Sequence, residues 1–425
     1  MKKTGKKVVR KKVFTKLSKA GKLPRPKLAK LSKKMPELSK KQRVLRPSLS
    51  ARSVNASAPG KILWIGGYSV LEKGNVSLVT AVDRRVYATA SAFKQIVLSS
   101  PQYNFRVSAE FDKKSGKLSL EHEVPAAKFI AKAVEISLCY LIAKKFALKN
   151  FFLETRGDEA FGVGDGKSGL GSSAAATAAS VAGVLAFHGL PSSQTLVHNL
   201  SQIAHSLAQG KVGSGFDIAA ACFGSCAYSR YSPLLVSSLG ASPSPQQVAS
   251  LADSQWDYSV EKISLPAELR IVFANVEGTS ASTTEMVKKV MEWKRTHPEK
   301  YASLIEELDN SNGSAIASLK KRDWTGFQNS FFRGREITRK LGFASGAQIE
   351  PQQLADLVDD SLRNGAFACK LPGAGGGDSI VALCLSEFGE KKLRQYWRQQ
   401  SHARLNVIVL GASQQGVVSD SGTVF

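Results

Sequence analysis

Hydrophobic and polar positions follow two different periods along this chain, and the pattern begins near Val54. Residues 61–65 (KILWI) form an apolar run typical of a buried strand, and residues 76–92 alternate in a way that predicts one or two further strands. From Pro125 the apolar residues recur every three to four positions, at Phe129, Ile130, Ala133, Val134, Leu138, Leu141 and Ile142. This second period predicts a helix with one buried face.

The remaining pattern places strands before helices rather than alternating them strictly, which favours an α+β fold. The predicted elements are strands at 151–155, 269–276 and 379–385, a helix of small residues at 172–188, a helix from Ser282 to Trp293, and further helices to about 365. Between about 233 and 266 the chain is rich in Ser, Pro, Gln and Ala. That composition predicts a seam between two domains.

Charge changes the picture at one end of the chain. The net charge of +25 is uneven, because residues 1–53 hold 20 of the 59 basic residues but only one of the 34 acidic residues. So few apolar residues and so much self-repulsion predict disorder. A solvated tail, contact with a polyanion such as RNA or an anionic membrane, and a targeting signal read by a receptor all remain open.

The cysteines and the most apolar stretch argue against several classes of protein. Five cysteines at 139, 222, 226, 369 and 384 form no CxxC pair, so neither a disulfide framework nor a zinc site is expected. No apolar segment follows the basic start, and residues 174–190 consist mostly of Ala with Ser, Thr and Gly and contain His188, so secretion and a membrane span are not expected either. The cytoplasm is the expected location, with organelle targeting by the basic extension left open.

The strongest chemical signal is the segment 167–180, KSGLGSSAAATAAS. Glycines let backbone N–H groups turn toward a ligand, and the following helix adds its positive end, so the segment is suited to phosphate. The Ser172 and Ser173 hydroxyls are suited to phosphate or Mg²⁺. A serine-capped turn before a buried helix explains the same residues.

Two other nucleotide-binding motifs are not supported. A Walker A loop is excluded because Phe161 stands where its first glycine is required. The GxGxxG at Gly164, Gly166 and Gly169 is a weak dinucleotide signal.

Three other glycine segments are candidates for binding. Residues 57–74 (SAPGKILWIGGYSVLEKG) place Lys61 at the entrance of a strand. Residues 210–225 (GKVGSGFDIAAACFGS) place Asp217 at the start of an apolar run, where a helix cap is the simpler explanation. Residues 370–383 (KLPGAGGGDSIVAL) would let backbone approach a ligand closely, although a tight turn accounts for them too.

Taken in order, PGK, GLGSSAA and PGAGGGD resemble the three motifs of the GHMP kinases, and the resemblance covers about 54–412. It implies an N-terminal, ATP-binding domain like domain 2 of ribosomal protein S5 at 54–240. It also implies a ferredoxin-like C-terminal domain at 265–415, with the active site between the two domains.

Several segments resemble the phosphomevalonate kinases within that family, among them AQGKVGSGFDIAAACFGS and EGTSASTTEMVKKVMEWK. This likeness implies that ATP and Mg²⁺ are used to convert (R)-5-phosphomevalonate to (R)-5-diphosphomevalonate in isoprenoid biosynthesis. The implied partners are these small molecules, with no stable nucleic-acid or membrane partner required. Two alternatives stay open: another GHMP small-molecule kinase, acting for example on mevalonate or homoserine, and an inactive protein that binds polyanions.

The resemblance also implies roles for individual residues. Lys61 and Asp217 correspond to the catalytic pair, and Ser173 to the residue nearest Mg²⁺. The residues that correspond to the ATP-binding set are Lys167, Gly169, Leu170, Gly171, Ser172, Ser173 and Ala174. Those expected to bind the second substrate are Tyr68, Lys211, Ser214, Ser282, Thr283, Gly373, Ala374, Gly375 and Gly376. Some relatives hold Mg²⁺ with a glutamate eleven residues before the aspartate, and that position here is Ser206.

Overall fold

The computed structural model describes residues 53–162, 169–210, 213–276, 283–377, 379–400 and 405–420, and these belong to one compact unit. Within these ranges the strands are β1 (Ser53–Ile65), β2 (Val76–Ala92), β3 (Ile96–Ser100), β4 (Phe105–Asp112), β5 (Lys117–Leu120), β6 (Phe151–Gly157), β7 (Cys226–Ser229), β8 (Ser259–Lys262), β9 (Arg270–Val276), β10 (Ala368–Lys370), β11 (Ser379–Cys384), β12 (Leu405–Leu410), β13 (Ala412–Ser413) and β14 (Val418–Ser419).

The helices of the same ranges surround these strands. They are α1 (Lys128–Ala143), α2 (Ser172–Phe187), α3 (Gln194–Ala208), α4 (Phe216–Phe223), α5 (Leu234–Ser237), α6 (Pro245–Asp253), α7 (Thr283–Thr296), α8 (Pro298–Lys321), α9 (Trp324–Ser345), α10 (Gln352–Arg363) and α11 (Glu387–Arg398). Short 3₁₀ turns occupy Ser69–Leu71, Pro101–Tyr103, Pro125–Ala127 and Glu159–Phe161. None of the described helices is long and apolar enough to span a bilayer.

The first sheet is built around β1 and β2. Its described strands follow the order β14-β1-β2-β6-β3-β4-β5, with β13 and β7 also on β2, and β8 on β7. The β1–β2 pairing is antiparallel and shifts register between Pro59 and Lys61, where β1 reaches the glycine segments. The last two short strands, β13 and β14, come from the end of the described chain and return to this sheet.

Helix α2 lies directly on the first sheet because its residues are small. It packs on β1 and β2, while α1 and α3 cover its other sides. A Cβ atom at Gly183 would lie 3.7 Å from the Cβ of Ala56 and 3.8 Å from that of Ala88, so helix and sheet backbones approach closely. A helix that is apolar on every side is expected to be buried in this way.

The second sheet has the order β10-β11-β9-β12 and is antiparallel. Alternate residues of β9 face different cores, as the pleat requires. Ile271 and Phe273 join the large core that includes parts of α8 and α9, whereas Val272 and Ala274 join a smaller core with residues of α10 and α11. The α+β class predicted above is confirmed.

Two details were left open by the sequence. Residues 76–92, predicted to form one or two strands, form one continuous strand, whose first part pairs with β7 and whose later part pairs with β6. The polar stretch 233–266, predicted as a seam between two domains, contains α5, α6 and β8, and α6 packs on α1 and α3. A capping box at Ser244 and the buried side chains of Val248 and Ala252 give this short helix an apolar face that composition conceals. The domain bounds 54–240 and 265–415 stay a prediction.

Candidate active site

The glycine turn before α2 forms one wall of the candidate site. Gly169 and Gly171 have φ of 70° and 77°, in the left-handed region that favours glycine. Gly171 is the N-cap of α2 and supplies no side-chain cap, so the first N–H groups of this 16-residue helix point toward the turn. Leu170 is buried, and Ser172, Ser173 and Ala174 form the first turn of the helix. The arrangement is suited to an anion.

Lys61 ties β1 to this turn. Its side chain is only 9% exposed, and its Nζ donates to the carbonyl oxygen of Gly169 at 2.9 Å. Its backbone N–H donates to the carbonyl of Leu170 at 2.8 Å. A Cβ atom at Gly171 would lie 2.8 Å from the Lys61 Cε, so the two chains leave no room for a side chain there. The ammonium group is therefore fixed beside the start of α2.

Asp217 lies in the first turn of α4, directly after Phe216. Its Oδ1 accepts from the N–H of Ile218 at 2.9 Å, and the Lys61 Nζ lies 5.7 Å from the ring centroid of the preceding residue, Phe216. The turn before it is held by Gln202, whose Nε2 donates to the carbonyl of Gly215 at 2.8 Å. The lysine and aspartate predicted from separate segments thus lie in one region.

His205 connects Ser173 with Asp217. Its Nε2 lies 3.2 Å from the Ser173 Oγ and 3.8 Å from the Asp217 Oδ2. The ring is 3% exposed and stacks on Phe129, with centroids 4.9 Å apart. Burial lowers the pKa of His205, and the Asp217 carboxylate opposes that shift.

Sequence analysis did not assign a role to His205. Counting back from Asp217 selected the neighbouring Ser206, but it is the side chain of His205 that reaches the serine and the aspartate. One signal was present, because His198, Gln202 and His205 recur at intervals of four and three on α3. That spacing places three polar side chains on one face of an otherwise buried helix.

The glycine loop after β10 closes the site from the second sheet. Gly373, Gly375 and Gly376 all have positive φ, and the N–H of Gly376 donates to the carbonyl of Ile349 at 2.9 Å. The Tyr68 hydroxyl donates to the carbonyl of Ala374 at 2.8 Å. Burial raises the pKa of Tyr68 well above its usual value, so this hydroxyl keeps its proton. The loop is thereby linked to the turn that follows β1.

A second link joins the glycine turn to the second sheet. A Cβ atom at Gly169 would lie 2.8 Å from the Oγ of Ser379, at the start of β11, so the glycine turn and this strand are in close contact.

The remaining predicted residues are placed only in part. Ser214, which was predicted to bind substrate, is 9% exposed, and its carbonyl accepts from the Tyr228 hydroxyl at 3.4 Å. Lys167, Lys211 and Ser282 lie outside the described residues, and Thr283 is described only as the first residue of α7.

Arg230 is another residue near the site that sequence analysis missed. Its guanidinium is 7% exposed and donates to the carbonyls of Leu71 and Gly213, the latter at 2.8 Å. Within the described part of the chain, its Nε has no hydrogen-bond partner. Arg230 therefore joins the turn that carries Tyr68 to the turn that leads to Asp217.

Comparison with known proteins agrees with this geometry. The GHMP kinases N terminal domain family matches residues 139–225, and the GHMP kinases C terminal family matches residues 315–403. The chain is 29% identical to a phosphomevalonate kinase of Gibberella zeae, over 89% of this chain and 99% of the relative. It is 27% identical to a peroxisomal phosphomevalonate kinase of Arabidopsis thaliana, over 87% of this chain and 96% of the relative.

A solved structure supports the fold independently. The phosphomevalonate kinase of Streptococcus pneumoniae, in complex with phosphomevalonate and AMPPNP, superposes with a TM-score of 0.70 at 18% identity, covering 84% of this chain and 99% of that one. At this identity the likeness concerns the fold alone. Matches to both halves of one family, together with relatives aligned over most of the chain, show that this protein belongs to the GHMP kinases.

Proposed function

We propose that this protein transfers the γ-phosphate of ATP to the phosphate group of (R)-5-phosphomevalonate, giving ADP and (R)-5-diphosphomevalonate for isoprenoid biosynthesis. The observation that carries the proposal is the fixed ammonium of Lys61, 2.9 Å from the carbonyl of Gly169 and beside the uncapped start of α2. Relatives named phosphomevalonate kinases, at 27% and 29% identity, support the choice of acceptor.

Charge repulsion is the main obstacle to this reaction. The second pKa of a phosphate monoester is about 6, so the acceptor is largely a dianion at neutral pH. Bringing it to a triphosphate requires cations and fixed N–H groups rather than a strong base. Lys61 bridges the donor and acceptor phosphates in this proposal, and the α2 N–H groups hold the donor. Lys167 and Lys211 add positive charge from outside the described residues.

Asp217 orients the site and takes up any residual proton. Its Oδ1 is held by the N–H of Ile218, so the carboxylate direction is set by the backbone of α4. Phe216, the residue before Asp217, has its ring centroid 5.7 Å from the Lys61 Nζ. In this proposal Asp217 stabilises the ammonium in its working position.

Among the described residues, we assign the Ser173 hydroxyl and the Asp217 carboxylate as the oxygen donors for Mg²⁺. No group of three His, Cys, Asp or Glu side chains with metal-binding geometry occurs among the described residues. Mg²⁺ commonly binds one or two protein oxygens together with substrate phosphates and waters, so this small donor set fits it. Bound with ATP, Mg²⁺ neutralises part of the phosphate charge.

The second substrate lies, in this proposal, between the glycine turn before α2 and the glycine loop after β10. We assign Tyr68, Ser214, Ser282 and Thr283 to its recognition; Ser282 lies outside the described residues. Gly373, Ala374, Gly375 and Gly376 form the loop that covers the phosphates in this proposal, and the Gly376 N–H holds that loop on the Ile349 carbonyl. We place the reaction in the cytoplasm.

The test is ADP release with 5-phosphomevalonate, mevalonate and homoserine, each assayed with and without Mg²⁺. We expect turnover only with 5-phosphomevalonate and only with Mg²⁺, and a large loss in Lys61→Ala. Preference for mevalonate or homoserine would assign a different acceptor. An absence of ADP release with every acceptor would refute the kinase activity.

A further inference from the structure

We propose that His205 is a positioning residue, which holds the Ser173 hydroxyl and the Asp217 carboxylate at a fixed separation so that both act on one bound Mg·ATP. This inference rests on the proposed phosphotransfer. It assigns a role that sequence spacing did not reveal, to a side chain that itself touches neither substrate in the proposal.

The geometry places one nitrogen atom between two functional oxygens. The His205 Nε2 is 3.2 Å from the Ser173 Oγ, within hydrogen-bond distance, and 3.8 Å from the Asp217 Oδ2, which is beyond it. The three residues come from α3, α2 and α4, so the ring joins three separate helices. The separation of serine and aspartate therefore depends on the side chain between them.

The ring itself has little freedom to move. It is 3% exposed, and the Phe129 ring lies nearly parallel to it, with 29° between the planes. One turn earlier on α3, Gln202 holds the Gly215 carbonyl just before Asp217. Helix α3 thus contacts both the Ser173 side and the Asp217 side of the site through adjacent polar residues.

Fixing Ser173 has a direct consequence for ligand binding. A serine hydroxyl has one donor and two acceptor directions, and it rotates among staggered positions unless a partner selects one. The hydrogen bond to His205 occupies one of these directions and leaves the others for a cation or a phosphate oxygen. Removing the ring frees the hydroxyl to rotate, which weakens metal binding more than it weakens the fold.

Three full-length variants test this role. His205→Leu removes the polar contact, His205→Gln retains a polar group near the Nε2 position, and His188→Gln is the matched control. His188 is another buried histidine, 6% exposed, at the far end of α2, where it contacts Val184 and Lys149. The measurements are kcat, the KM for each substrate, the half-saturating Mg²⁺ concentration, and direct binding of Mn²⁺ with AMPPNP by electron paramagnetic resonance.

We expect His205→Leu to weaken metal binding and raise the half-saturating Mg²⁺ concentration about 10–100-fold, as is typical when a residue supporting a metal ligand is lost. His205→Gln should recover most of this loss, with little change in the KM for the acceptor. His188→Gln should leave metal dependence unchanged. If His205→Leu is folded and active with wild-type metal dependence, the inference is wrong.

Two outcomes separate this inference from the proposed function. If the wild type does not turn over 5-phosphomevalonate, but His205→Leu still weakens Mn²⁺·AMPPNP binding, the choice of acceptor fails and the positioning role stands. Should His205→Leu not fold, histidine ¹⁵N spectra of the wild type decide: Mg·AMPPNP should shift the His205 signals and leave those of His188 in place. Unshifted His205 signals would overturn the inference.

Discussion

At the scale of single residues, Lys61 shows how a positive charge is held beside the N-terminus of α2. Lys61 is only 9% exposed, and its Nζ donates to the Gly169 carbonyl oxygen at 2.9 Å. A carbonyl oxygen accepts a hydrogen bond without cancelling the positive charge, and a cation held beside a helix N-terminus attracts phosphate. The same contact keeps the lysine from moving into solvent.

Removing this charge should be more harmful than removing the aspartate. We expect Lys61→Ala to lower kcat/KM on the order of 10²–10³-fold, because the repulsion between phosphates is left uncompensated. Asp217→Asn should cost less, since the acceptor is already largely ionised. Steady-state kinetics of both variants check this ranking, and the reverse order would show that proton removal limits the reaction.

The glycine turn allows a second comparison between variants. Gly171→Ala combines a positive φ of 77° with a clash against the Lys61 Cε, whereas Gly189→Ala meets a positive φ of 80° in open space. Both should lose about 1–2 kcal/mol of unfolding free energy from backbone strain. Only Gly171→Ala should also lose activity, on the order of 10²-fold, because Lys61 is displaced. Urea unfolding and kinetics together separate the two effects, and equal activity in both variants would contradict the proposed role of Lys61.

Some site residues could be predicted from the sequence because a local property identifies them, and others could not because their role depends on contacts between elements. Gly169 and Gly171 could be predicted because their backbone conformation is a local property that only glycine satisfies easily. His205 and Arg230 could not be assigned, since each acts through partners on other elements whose approach depends on packing. The position of the relatives' glutamate is Ser206, whereas the side chain that lies near both Ser173 and Asp217 is that of its neighbour His205.

At the scale of elements, helix α9 supports the glycine loop from a distance. Arg335 is 12% exposed, and its Nε donates to Glu350 at 2.8 Å while its Nη1 donates to Asp359 at 2.6 Å. Glu350 directly follows Ile349, whose carbonyl accepts from Gly376. The ion pair therefore fixes the segment on which the loop rests.

Breaking this pair should affect both stability and nucleotide binding. Arg335→Met leaves Glu350 buried without its main partner and should lower the unfolding free energy by about 3 kcal/mol. The KM for ATP should rise as the loop loosens. Arg333→Met, on the exposed side of the same helix, should change neither quantity noticeably, because exposed pairs contribute little. Thermal unfolding and ATP kinetics check both variants; equal losses would show that Arg335 has no special role.

Elements were predicted from sequence with uneven success. The strand at 379–385 and the small-residue helix at 172–188 were found because their apolar patterns are strong and local. The nine-residue α6 was missed, since its apolar face consists of a few small side chains within a polar stretch. The order of the strands could not be predicted, and neither could the pairing of β13 and β14 with the first sheet. Both depend on contacts between residues far apart in sequence.

At the scale of the whole molecule, most of the net positive charge belongs to the start of the sequence. Residues 1–53 hold 20 basic side chains and one acidic side chain, out of 59 and 34 in the whole chain. The proposed catalytic pair, Lys61 and Asp217, comes later in the sequence, within the described residues. We therefore expect phosphotransfer to depend on the residues after the extension, and polyanion binding to depend on the extension.

Removing residues 1–52 should leave kcat/KM for ATP and 5-phosphomevalonate essentially unchanged. It should also abolish salt-sensitive retention on a heparin column, because polyanion binding follows the number of basic groups. Parallel assays of the full chain and the shortened variant check both expectations. A large loss of turnover would show that the extension contributes to the active site.

The return of β13 and β14 to the first sheet affects how the protein is made. Synthesis proceeds from the N-terminus, and domains tend to fold as they emerge. Here β1 pairs with β14 at Ala56 and Ser57, so part of its edge has no partner until residues near 419 have left the ribosome. A message cut short after Leu410 would yield a nascent chain with that edge exposed, a surface prone to aggregation.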